Sequence, residues 1–105
     1  MRNDDSEVIR AVRDRGGRTV VLTQERLDHL VRRHRMLDGH ELAIMRAVET
    51  AEIRCRGNDP STEELYGRDL GPARWLCVVV TYDGVRGRIR TAYPHRRDPP
   101  TEGRL

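Results

Sequence analysis

The 105-residue sequence has no lysine and no phenylalanine, a single tryptophan, three tyrosines and only two cysteines. Each shortage excludes something. Without phenylalanine the packing falls on leucine, valine and isoleucine, and with 36% apolar against 35% charged residues the core must be economical. Cys55 and Cys77 are far apart and form no CxxC pair, which argues against a disulfide framework or a zinc site and makes a reducing, cytoplasmic setting the default. No segment approaches membrane-spanning length, and the polar start MRNDDSEVIR lacks a signal-peptide apolar run, so no membrane partner is expected. There is no internal repeat. With lysine missing, all 20 basic residues are arginine. A GC-rich coding bias gives that result, and so does a need for bidentate phosphate contacts. The net charge of +3 and pI of about 9.4 mildly favour an anionic partner such as nucleic acid, although many ordinary proteins share them.

What is present is organised around RWLCVVVTYDGVRGRIRTAY, residues 74–93. A β-branched and aromatic run from Trp75 to Tyr82 is broken by Asp83-Gly84, a hairpin turn signal, and a second strand follows to Tyr93. Simple alternation places Leu76, Val78 and Val80 on one face with Ile89, Thr91 and Tyr93. It places Cys77, Val79 and Thr81 on the other with Arg88, Arg90 and Ala92. Upstream, Val8, Ile9 and Val12 suit a short helix or a loosely held segment. Residues 18–22 read as a strand. Thr23 is a good N-cap for a helix of about a dozen residues closed near Gly39. A second helix is expected over 40–54, with Leu42, Met45, Val48 and Glu52 along one line. Asn58-Asp59-Pro60 signals a turn, and 64–68 a short strand with Leu65 or Tyr66 turned inward.

The expected fold is therefore α+β. Two N-terminal helices pack on a small antiparallel β-sheet, a meander of three C-terminal strands plus a short N-terminal strand. The expected division is a polar segment over 1–17, one domain over 18–97, and a proline-rich mobile tail over 98–105.

The densest chemistry is His29-Leu30-Val31-Arg32-Arg33-His34. Helical periodicity puts His34 on the inward stripe with Leu27, Leu30 and Val31, and turns His29 about 140° away from it. The bland alternatives are a hydrogen-bonded packing histidine for His34 and a solvated one for His29. The functional reading brings His34, Thr91 and Tyr93 together where the helix end lies over the strand end. Arg33, Arg35, Arg96 and Arg97 would surround them as phosphate-binding groups. Such a set can cleave RNA without a metal or other cofactor. Histidine acts as base or acid near neutral pH, a tyrosine donates a hydrogen bond or proton, and arginine holds the phosphoryl oxygens.

The H-[IL]-x-x-R-H helix, the tyrosine of Leu65-Tyr66, the strand over 74–80 and the closing Thr91-Ala92-Tyr93 together resemble the small bacterial and phage nucleases of the barnase–EndoU–colicin–RelE-like group. The resemblance spans residues 18–97. It implies a metal-independent endoribonuclease, a toxin or phage effector in the cytoplasm, with a cognate inhibitor or antitoxin as a further partner. It implies His29, Arg33, His34, Thr91 and Tyr93 as site residues and Tyr66 as a substrate contact. The competing class is a non-catalytic module that binds a protein, or RNA through Arg88 and Arg90. A DNA-binding domain fits less well, because the two-helix segment lacks a recognition helix.

Overall fold

The computed structural model describes residues 7–105. The fold is α+β, and the sheet is larger than the sequence suggests. It has six strands in the order β1-β2-β6-β5-β4-β3. In chain order these are β1 (Val8–Arg13), β2 (Thr19–Thr23), β3 (Ile53–Arg56), β4 (Thr62–Arg68), β5 (Trp75–Asp83) and β6 (Arg86–His95). Two helices, α1 (Gln24–Arg33) and α2 (Glu41–Thr50), fall between β2 and β3. The helices thus follow two strands rather than the single short one expected. The sheet is mixed, because β2 runs parallel to β6 while the other neighbours are antiparallel. Among the described residues no helix is long and apolar enough to cross a membrane.

Both ends of the chain correct the expected division. Val8–Arg13 is an edge strand, neither a helix nor a segment outside the domain; residues 1–6 lie outside the described part. The register slips between Val8 and Arg10, so Ile9 is an extra residue. Ile9 and Val12 can then both pack on the core, although their three-residue spacing imitates a helix. The expected mobile tail over 98–105 folds back along β3. The Arg56 amide donates to the Gly103 carbonyl (2.6 Å), the Leu105 amide to the Arg54 carbonyl (2.9 Å), and Pro99 is buried.

Thr23 caps α1 as expected: its hydroxyl accepts from the Arg26 amide at 3.2 Å, an interaction typically worth about 1 kcal/mol. The second helix is shorter than expected and stops at Thr50. Beyond it the period changes to two, and Ile53 and Cys55 turn outward as part of β3. Its buried stripe is Ile44, Met45, Ala47 and Val48, while Leu42 is exposed.

The helices cover one sheet face. Leu30 of α1, Ile44 and Val48 of α2, and Leu37 from the short 3-10 turn between them pack there against Val20, Leu22, Leu65, Leu76, Val78, Val80, Ile89 and Ala92. A smaller cluster of Cys55, Tyr66, Trp75 and Cys77 forms on the opposite, outer face, with Ile53, Val79 and Tyr93 packed against it. Leu65 and Tyr66 are therefore both buried, on opposite faces.

The pairing of β5 with β6 departs from simple alternation. Val79 stands opposite Thr91 and Val80 opposite Ile89, which makes Arg90 the extra residue of a β-bulge. The bulge inverts the facing of everything beyond it. Ala92 turns into the helix-facing core, while Thr91 and Tyr93 move to the outer face beside Val79 and Cys77. The expected placement of Thr91 and Tyr93 in the gap between helix and sheet is thus corrected.

Candidate functional site

The ladder between β2 and β6 ends at Val21–Arg88, because the chain leaves β2 at Thr23 to start α1. From the bulge onward α1 lies along the flank of β6, and the Arg26 guanidinium donates to the Arg90 main-chain carbonyl at 3.4 Å. The helix therefore meets β6 at its edge as well as covering the inner face. Residues spaced as 26, 29 and 33 project together on a helix surface, and here that row borders the strand edge. His34 ends α1. As its C-cap it has φ −135° and ψ 80°, with its amide still bonded to the Leu30 carbonyl at 2.8 Å. The regular 100° step stops at Arg33, so the separation expected between His29 and His34 on a continuous helix does not hold.

The result is a solvent-open cavity of about 380 Å³ at the edge of β6. From α1 it is lined by Arg26, His29, Arg33 and His34; from β6 by Arg90, Thr91 and Tyr93. The rings of His34 and Tyr93 stand 6.0 Å apart, tilted by 40°. No carboxylate lines this cavity, and three guanidinium groups face it; Asp59, outside the lining, lies within electrostatic reach of Arg90. A larger cavity of about 760 Å³ lies on another side of α1, but there Asp28, Asp38 and Glu41 offset Arg10 and Arg32, and no histidine is present. The smaller cavity is the one whose chemistry suits an anion.

Five residues singled out from the sequence, His29, Arg33, His34, Thr91 and Tyr93, share this cavity. Arg35, Arg96, Arg97 and Tyr66 do not line it. Arg35, Arg96 and Arg97 are exposed, whereas Tyr66 is buried in the outer cluster with its hydroxyl donating to Glu64 at 3.2 Å. Sequence reasoning missed Arg26 and Arg90 as cavity residues. Arg26 was reachable, since it lies three residues before His29 and seven before Arg33. Arg90 was not, because its place depends on the bulge.

Burial, and then the Cys77 thiol beside it, hold the Tyr93 phenol well above the ordinary tyrosine range. Tyr93 is therefore a proton-bearing donor at neutral pH and not a base. Burial also pushes the Cys77 thiol up to about 12, which leaves it an unreactive packing group. Cys55 is likewise raised by burial, and both thiols are free. No protein-family model, curated protein or solved structure matches this chain, so these side chains carry the functional reading.

Proposed function

We propose that this protein is a metal-independent endoribonuclease of the barnase–EndoU–colicin–RelE-like kind, acting at the cavity between α1 and β6. The observation that carries the reading is the composition of that cavity: two histidines, a threonine hydroxyl and a phenol among three arginines, with no carboxylate. A phosphodiester seated there meets positive charge on its non-bridging oxygens from Arg26, Arg33 and Arg90. This is the kind of interaction that strengthens as charge accumulates on a pentacoordinate phosphorus. Thr91 supplies a further hydrogen bond to the phosphate. His34 removes the proton of the ribose 2′-hydroxyl. The 2′-oxygen then bonds to phosphorus, and the bond from phosphorus to the 5′-oxygen breaks. His29 delivers a proton to that oxygen, and a 2′,3′-cyclic phosphate remains. Tyr93, kept protonated, donates a hydrogen bond to a phosphoryl oxygen.

The test is incubation with single-stranded RNA in EDTA, with the ends analysed chemically. Cleavage that leaves cyclic phosphates and falls steeply in His34→Ala is the expected result. Cleavage abolished by EDTA, or unchanged in His34→Ala, would overturn the mechanism. A second reading, a module that holds RNA without cutting it, is favoured by one observation: the Tyr93 ring is half-buried and packs on the outer cluster of Cys55, Tyr66, Trp75 and Cys77. It requires RNA affinity with no cleavage by the wild type.

A further inference from the structure

A row of rings leaves the cavity and crosses the outer face of the sheet. From His34 and Tyr93 it continues to His95, 6.2 Å from Tyr93, then to Tyr66, 5.4 Å from His95, and to Trp75, 6.4 Å from Tyr66. The inner members are sealed, with Tyr66 and Trp75 each 2% exposed. Tyr93 and His95 are only half-buried, and as alternate residues of β6 they share the outer face. His95 belongs to neither the core nor the cavity, yet it is held on two sides. Tyr66 meets it edge-on at 79°, and its Nδ1 lies 2.7 Å from the Arg97 carbonyl. A carbonyl can only accept, so Nδ1 carries the proton and the ring orientation is set.

Partly exposed, fixed rings beside a cavity lined by three arginines and no carboxylate match the two needs of single-stranded nucleic acid. The backbone requires positive charge, and the unpaired bases require π-faces on which to stack. A duplex offers only the first, because its bases already stack on one another. Tyr93 belongs to both surfaces, so a phosphate in the cavity and an adjoining base would be held together. We infer that Tyr93 and His95 form a nucleobase-stacking step, and that the strand bound at the cavity is single-stranded, with a base seated on His95. This rests on the reading of the cavity as a phosphodiester site and adds the substrate form and a specificity residue, His95.

The test uses ligands that cannot undergo 2′-hydroxyl attack, so that catalysis plays no part. Fluorescence anisotropy compares a short single-stranded oligodeoxyadenylate with an abasic oligomer carrying the same number of phosphates. The wild type is expected to prefer the base-bearing strand by roughly tenfold. His95→Ala should erase most of that preference while leaving affinity for the abasic strand unchanged. His95→Phe, which keeps a ring but loses the Nδ1 hydrogen bond, should retain the preference and serves as the control for folding. Equal affinity of the wild type for the two oligomers, or an equal loss of both in His95→Ala with His95→Phe no better, would overturn the inference. If neither oligomer binds, both the step and the phosphodiester cavity fail. A base preference without RNA cleavage removes the nuclease reading alone, and cleavage without a base preference removes the step alone.

Discussion

His34 and Tyr93 face each other at 6.0 Å across the edge of β6, although one ends a helix on the inner layer and the other lies on the outer sheet face. Two local irregularities produce the meeting. The C-cap conformation at His34 ends the helix at Arg33, and the Arg90 bulge turns Tyr93 outward. The two rings are not equivalent chemically. His34→Ala removes the proposed general base and should lower RNA cleavage by about 10²–10⁴-fold. Tyr93→Phe keeps the ring and loses a hydroxyl that burial and Cys77 already hold protonated, so its loss should be about tenfold or less. Single-turnover rates for both variants check the order; a larger effect in Tyr93→Phe would make the phenol the principal proton donor.

The three arginines of the cavity should act through charge. Replacing Arg26, Arg33 or Arg90 with alanine removes one phosphate contact and is expected to weaken oligonucleotide binding at low salt. Each change should also reduce the salt slope of log affinity by about 1. Arg46, exposed on α2 and absent from the cavity, supplies the comparison: Arg46→Ala should leave both affinity and slope unchanged. Titrations across a range of sodium chloride concentrations measure the slopes directly.

The sequence made much of this legible through local signals. The β5–β6 hairpin was marked by its β-branched run and Asp83-Gly84, and α1 by Thr23 with the apolar row through Leu30. The two histidines and Arg33 were visible as a dense polar stretch. What escaped were features set by contacts distant in sequence. Arg90 carries no bulge signature of its own, yet it inverts the facing of Thr91, Ala92 and Tyr93. Ile9 and Val12 looked helical because a second irregularity gives a strand the spacing of a helix turn. The parallel pairing of β2 with β6 joins residues about two thirds of the chain apart, and it leaves the strand edge that α1 then borders. The convergence of His34 with Tyr93 was expected, but it arises at a strand edge rather than inside the layer gap.

Gly67 sets how closely α2 approaches β4. A Cβ at this position would lie 2.8 Å from the Ala47 Cβ and 2.9 Å from the Ala47 Cα, so the helix backbone itself would have to move. Gly67→Ala should therefore destabilise the fold by about 1–3 kcal/mol, as overpacking of a well-filled core does. The expected signature is a lower urea midpoint with an unchanged slope. The double variant Gly67→Ala with Ala47→Gly, which removes the opposing methyl, should recover part of the loss in spite of the helix propensity of glycine.

Asp14 ties the β1–β2 turn to the far side of the sheet. Its carboxylate accepts from the Gly16 amide and the Arg18 amide, each at 2.9 Å, and from the Tyr82 hydroxyl at 2.8 Å. The Arg18 guanidinium, stacked 3.5 Å over the Tyr82 ring, bridges Asp14 to Glu63 on β4. Burial alone would raise the Asp14 carboxyl, but the hydrogen bonds from Tyr82 and the Arg18 amide, with the Arg18 charge, outweigh it and hold it below the ordinary value of 3.8. The sign follows from proton counts. Between the lowered folded value and 3.8 the unfolded chain binds the proton and the folded chain does not, so stability rises with pH through that window. The contribution is fully present above the unfolded value and disappears as pH falls through the folded one. Asp14→Asn keeps the shape and removes the charge. It should cost about 1–3 kcal/mol at neutral pH, since the buried Tyr82 hydroxyl and Arg18 lose a charged acceptor. Urea unfolding of wild type and variant from neutral pH down to the acid limb should show the two curves converging. A constant gap across that range would mean that the loss comes from the altered hydrogen bonding of the amide and that the Asp14 charge contributes nothing.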